Sequence, residues 1–306
     1  MSGMSAVLTK AAAFVMIIIT GYGLKRLKVF AAKDFKVLST IVVKVTLPAA
    51  IVSNFSNMEM DNSLLVMCVI GFAANVILVF SGYLTHLGRS REEKAFAMLN
   101  ISGYNIGNFT LPFIQNFLGA TGFAVTSLFD AGNALMCTGA SYTAAAAVAG
   151  TGGRVSVKNI LKSLFSSVPF DMYIVMTLLA VLNLRLPEVV ISYAATIGSA
   201  NAFLALFMIG IGFELHFEKH QIREIMGLLL FRYGAAVIFS LAAYWLLPFS
   251  EEVRKTLAIV AFGPVSSVAP AFTGRLGGNV ALASAVNSLS IIVSIILLTA
   301  ALIVVL

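Results

Sequence analysis

The chain has 306 residues, of which 59% are apolar and 11% charged, and its mean hydropathy is +0.98. Soluble domains run about 45–50% apolar and about 25% charged, so this composition excludes a soluble enzyme, a disordered protein and a nucleic-acid-binding module. The net charge of +7, from 20 Lys and Arg against 13 Asp and Glu, is what basic cytoplasmic loops give a protein set in a lipid bilayer.

The length suits roughly ten spans of about 20 residues with short loops. Apolar segments lie at roughly 5–24, 36–55, 63–85, 95–118, 121–148, 163–183, 189–213, 223–247, 253–273 and 280–306. Backbone groups in lipid must be bonded internally, so each is expected to be a helix. The expected fold class is an all-α membrane protein without a soluble domain. The first segment, with Lys10 ahead of its apolar core, has the outline of a signal peptide; with nine further spans and no convincing cleavage site it is counted as a retained helix.

The loops set the orientation. Lys25, Arg26, Lys28, Lys33 and Lys36 lie around the 1–2 loop, Arg89, Arg91 and Lys94 around the 3–4 loop, and Arg154, Lys158 and Lys162 in the 5–6 connection. Lys219, Arg223 and Arg275 follow on the same side, whereas the other side has only Lys10, Arg185, Arg254 and Lys255. The positive-inside rule makes the first set cytoplasmic, which leaves both termini outside a cell membrane. The longest polar stretch, Gly150 to Lys162 with its Gly150-Thr151-Gly152-Gly153 connector, is read as a flexible link.

Inside the fourth span the chain reads Asn105-Ile-Gly-Asn-Phe-Thr-Leu-Pro112 and continues to Leu118-Gly119; inside the ninth, Pro264-Val-Ser-Ser-Val-Ala-Pro270 continues to Leu276-Gly277. In both, Leu-Gly follows the central proline by six and seven residues. A proline in mid-span removes a backbone donor and breaks the preceding turn. One such proline usually means only a kink. Two at matched positions, five helices apart, point to residues 1–150 and 151–306 as inverted five-helix repeats with broken crossover helices 4 and 9. The half-helix N-termini and neighbouring polar groups then converge on an anion site, for which the candidates are Asn105, Asn108, Pro112, Pro264, Ser266, Ser267 and Pro270.

These residues resemble the auxin efflux carrier family, which includes bacterial malate and malonate permeases and plant PIN-type carriers. The resemblance spans essentially the whole chain. It rests on the Asn-x-Gly-x-x-x-x-Pro pattern at Asn105, Gly107 and Pro112, on Pro264 followed by Leu276-Gly277-Gly278-Asn279, and on Leu47-Pro48. The family's loop tyrosine and aspartate are absent here, and Asn201-Ala-Phe stands where a proline is common. The resemblance implies a scaffold part, a crossover-bearing transport part, and elevator-like carriage of a small organic anion.

Two charges, Lys44 and Asp130, fall near mid-depth of spans two and five. They are expected to be either a charge pair or proton-sensitive group near substrate, or a structural ion pair. Asp171 and Arg232 admit a second pair. No cofactor or metal site is expected, since His86, His216 and His220 sit at span ends or in loops and no His-Glu-x-x-His, Gly-x-Ser-x-Gly or Cys-x-x-Cys spacing occurs. Cys68 and Cys137 lie in apolar runs and suggest no disulfide framework. The expected partners are a small organic anion, the bilayer and a second copy in a homodimer, with uniport or proton coupling expected ahead of Na⁺ symport. The competing readings are a sodium-coupled organic-anion symporter of the bile-acid type and, behind it, an ion channel.

Overall fold

The computed structural model describes residues 3–31, 33–56, 62–151, 156–214 and 217–305. Arg154, His216, Gly152 and Gly153 lie outside the described residues. The chain is 82% helix and, among the described residues, has no strand beyond one isolated bridge. The helices are α1 (Gly3–Arg26), α2 (Asp34–Ile41), α3 (Leu47–Phe55), α4 (Val66–Thr85), α5 (Arg91–Ile101), α6 (Leu111–Phe117), α7 (Gly119–Leu135), α8 (Ser141–Ala149), α9 (Val157–Leu164), α10 (Val168–Val181), α11 (Glu188–Gly198), α12 (Asn201–Gly212), α13 (Ile222–Leu246), α14 (Glu251–Val260), α15 (Ala269–Arg275) and α16 (Val280–Val305).

Six helices among the described residues are long and apolar enough to cross a membrane, or seven if α9 and α10, bent by 76°, form one span. The expected spans missing from that set are the interrupted ones. Segment 95–118 breaks between α5 and α6, and segment 253–273 between α14 and α15. Segment 121–148 bends at Gly139, where φ is 154°. Large apolar side chains face outward on the long helices, with Ile238 and Trp245 both 71% exposed, as on helices whose solvent is lipid. This is a multi-pass membrane protein.

Local chemistry sets the helix ends. Ser90 and Glu93 form a reciprocal capping box that starts α5, with the Glu93 backbone N–H donating to Ser90 Oγ at 3.1 Å and the Ser90 N–H donating to Glu93 Oε2 at 2.9 Å. Pro270 occupies the first turn of α15, where the missing N–H costs nothing. Pro48 and Pro112 each follow directly on a π turn, Val42–Thr46 and Ile106–Thr110, within a continuous helical run, and the irregular turn takes up the lost donor. The 5–6 connection contains more than the expected link. Val157–Leu164 is a helix capped by Ser156, with Lys158 and Lys162 beside exposed Val157 and Leu161, the make-up of a helix lying in a membrane interface.

Packing divides the helices into two groups. In the first, α1 runs along α12, α3 packs on α10 and α11, and α2 packs on α12; in the second, α4 packs on α5 and α7, α13 on α14, and α15 on α16. At the α4–α7 contact a Cβ on Gly71 would strike the Phe129 carbonyl and one on Gly132 the Cys68 carbonyl, so two backbones meet with nothing between them, as small residues allow in membrane helices.

Candidate functional site

The two interruptions cross. After α5, Ser102 is extended and Gly103 has φ +74°. A Cβ at Gly103 would lie 2.7 Å from the Ser266 Cβ, so glycine is needed here for both conformation and space. Tyr104 and Val265 form an antiparallel bridge, and the Asn105 N–H donates to the Pro264 carbonyl at 2.9 Å. Residues Ile106–Thr110 then form one π turn leading into α6, while Ala261–Val268 separate α14 from α15.

Unwound backbone away from water needs partners, and each crossing segment has its own clamp. Asn133 on α7 receives the Tyr104 N–H at 3.0 Å and donates to the Tyr104 carbonyl at 2.9 Å. Asn75 on α4 receives the Gly103 N–H at 2.8 Å and donates to Asn133 Oδ1 at 3.1 Å. On the other strand Ser290 receives the Val265 N–H at 3.0 Å, and Asn287 donates to the Val265 carbonyl at 2.8 Å. Ser294 donates to the Phe262 carbonyl at 2.6 Å, and Tyr233 Oη lies 2.7 Å from Ser294 Oγ. Thus α7 clamps the first crossing and α16 the second by the same chemistry.

Beside the crossing is a cavity of about 220 Å³ whose lining includes Asn105, Asn108, Ser267, Pro270, Ser284, Asn287 and Ser288. Phe35, Met208, Ile209, Gly212, Phe213, Glu214 and Ile291 complete it. The cavity therefore lies between the two packing groups, with α2 and α12 on one side and the crossing and α16 on the other. Asn108 Oδ1 is buried and has no hydrogen-bond partner among the described residues. Amides and hydroxyls provide both donors and acceptors, and the Glu214 carboxylate is the one charged group among the lining residues.

The structure thus brings together four of the residues read from sequence, Asn105, Asn108, Ser267 and Pro270. Pro112 and Pro264 shape the breaks without lining the cavity. Ser266 points elsewhere, its Oγ accepting from Cys137 Sγ at 3.3 Å. Lys44 and Asp130 do not meet. Lys44 is exposed on the π turn Val42–Thr46, beside a separate recess with Phe35, Lys36 and Ser39. Asp130 accepts from Asn133 at 2.8 Å and from Tyr173 Oη at 3.1 Å. Even sequence depth did not imply facing sides, because α3 rather than the π turn is the part of span two that packs on α7. Asp171 and Arg232 form no pair either. Arg232 is 2% exposed and bonds backbone carbonyls.

Sequence reading assigns no role at the crossing or the cavity to Asn133, Asn287, Ser284, Ser288 or Ser290. The available signal was a polar residue in each helix that follows a break. Residues 6–147 match a family model described as "membrane transport protein". That region holds Asn75, Asn105, Asn108, Pro112, Asp130 and Asn133, hence the whole first crossing and its clamp. No curated protein matches the chain.

Proposed function

We propose, from the match of residues 6–147 to a family of membrane transport proteins, that the chain is a member of the auxin efflux carrier family and a secondary-active carrier of small organic anions. Carboxylates of the size of malate and malonate, or auxin-like acids, are the substrate class. The observation that carries this reading is the amide- and hydroxyl-lined cavity beside two crossing helix breaks. The amides and hydroxyls can hold a carboxylate through several hydrogen bonds without a fixed cation, while the Glu214 carboxylate among the lining residues opposes it, which keeps binding moderate and release fast.

In this reading the chain has ten spans in two inverted five-helix repeats, with α5–α6 and α14–α15 as the broken fourth and ninth. The group containing α1, α2, α3, α10, α11 and α12 is the scaffold, and the crossing helices with α4, α7, α13 and α16 form the moving part. The cavity's place between the two groups supports elevator-like movement, in which the site travels with the crossing past a fixed wall. Phe35, Glu214 and Ser284 come from helix ends beside the basic 1–2, 7–8 and 9–10 loops. With those loops cytoplasmic and both termini outside, this conformation is open inward.

The opposite end is closed by rings. Phe14 meets Phe113 at 4.8 Å and Phe117 at 6.2 Å between ring centroids, and Lys10 donates to the Asn116 carbonyl at 2.8 Å. These contacts join α1 to α6 and must part for outward opening. Asp130 is assigned to proton coupling. It is a carboxylate without a cationic partner among the described residues, bonded to the crossing's clamp through Asn133 and to α10 through Tyr173, so its charge bears on both the site and the group interface. A homodimer is compatible with this arrangement and is not required by it.

The test is uptake of radiolabelled malate and malonate into proteoliposomes of the purified protein. Saturable uptake with counterflow supports a carrier; single-channel currents support a pore.

A further inference from the structure

Arg232 lies in the middle of α13, 2% exposed and, among the described residues, without an acidic partner. Its Nη1 donates to the carbonyl of Ile101, the last residue of α5. Its Nη2 donates to the carbonyls of Gly263 at 2.9 Å and Pro264 at 3.2 Å, in the unwound link after α14. The guanidinium carbon stands 4.7 Å from the centroid of the Tyr104 ring, within the other crossing strand. Only Nε lacks a partner. One cation is therefore held by carbonyls from both breaks, at the ends of α5 and α14 where the helix dipoles are negative.

Carbonyls of unwound backbone and half-helix C-termini are the groups that bind a coupling cation in inverted-repeat carriers. Here a covalently attached cation fills that place. No Asp or Glu occurs in residues 102–110 or 261–268, so the crossing strands themselves carry no carboxylate; the flanking ones are Asp130, bonded to Asn133 and Tyr173, and Glu214 in the cavity wall. A buried guanidinium stacked on an aromatic ring is a fixed charge that cannot leave in a transport cycle.

We infer that Arg232 is a positioning residue standing in for a coupling cation, so that its guanidinium holds the two breaks together and the carrier works without Na⁺ symport. The carrier part of this statement rests on the function proposed above; the occupation of the carbonyl site does not.

The test measures thermal unfolding of the purified protein, with no organic anion present, in NaCl and in choline chloride at equal ionic strength. The variants are Arg232→Gln, which uncovers the carbonyls, and Arg232→Lys, which keeps a cation. Wild type and Arg232→Lys are expected to melt at the same temperature in both salts. Arg232→Gln is expected to melt lower in choline and to recover with rising Na⁺, because a ligand bound only by the folded state stabilises it. A merely structural arginine would lower the melting temperature without creating Na⁺ sensitivity. Na⁺-dependent stabilisation of the wild type overturns the inference, as does an Arg232→Gln protein that is blind to Na⁺. If Arg232→Gln yields no folded protein, the wild-type and Arg232→Lys comparisons decide. Failure here leaves organic-anion uptake untouched, and absence of such uptake leaves this result readable.

Discussion

Replacing Asn133 by alanine tests how the first crossing is held. The side chain is 2% exposed and, besides accepting from the Asn75 amide and the Cys137 thiol, bonds three groups whose loss sets the cost, the Tyr104 N–H, the Tyr104 carbonyl and the Asp130 carboxylate. Hydrogen bonds between membrane helices average about 0.6 kcal/mol and reach about 1.7 kcal/mol. Asn133→Ala should therefore cost about 2–5 kcal/mol on that scale. Asn287→Ala is the internal control. It removes one bond, to the Val265 carbonyl, while Ser290 keeps the Val265 N–H, so its cost should be about 0.6–1.7 kcal/mol. Unfolding in a mild detergent and denaturant series, followed by tryptophan fluorescence or circular dichroism, gives both values. Equal losses, or a larger loss from Asn287→Ala, would refute the clamp as described.

Three further outcomes are expected. Asn105→Ala removes an amide that lines the cavity and, among the described residues, has no side-chain hydrogen bond within the protein; it should weaken organic-anion binding by about ten- to a hundredfold, the worth of one hydrogen bond to a charged group, with unchanged yield of folded protein, as read by isothermal calorimetry or thermal shift. A double-mutant cycle of Lys44→Met and Asp130→Asn on stability should be additive within about 0.5 kcal/mol, since Asp130 is bonded to Asn133 and Tyr173 rather than to Lys44; a larger coupling would show that the two charges sense each other. Lys158→Cys, in a background lacking Cys68 and Cys137, should resist an impermeant thiol reagent in intact cells and label after permeabilisation, and labelling in sealed cells would reverse the orientation.

The sequence carried the features that depend on local chemistry. Pro270 marks the first turn after the second break and Pro112 follows the π turn after the first, because proline cannot donate there, and the matched Leu-Gly spacing locates both. Asn105, Asn108, Ser267 and Pro270 were recoverable because they sit within a few residues of those prolines. What escaped was the set of contacts made across the fold. Asn133 reaches Tyr104 from another helix, Asn287 reaches Val265 in the same way, and Arg232 reaches Ile101 across 131 residues. Counting residues along the spans sets Lys44 and Asp130 at similar positions, but it does not report helix face. The π turn at Val42–Thr46 shifts the face that span two presents there, and no periodicity in a nearly all-apolar helix reports such a shift. The bend between α9 and α10 was hidden for a related reason, since a short interfacial helix has the composition of a loop.

Counterflow in proteoliposomes tests the central claim most directly. Vesicles loaded with unlabelled malonate or malate are diluted into trace labelled anion, and accumulation is followed for wild type and Asn105→Ala at matched protein content. The account predicts transient, saturable accumulation by the wild type above the external level, shifted to higher concentration in Asn105→Ala. Flux that rises linearly with concentration, shows no counterflow and is unchanged by Asn105→Ala would contradict it.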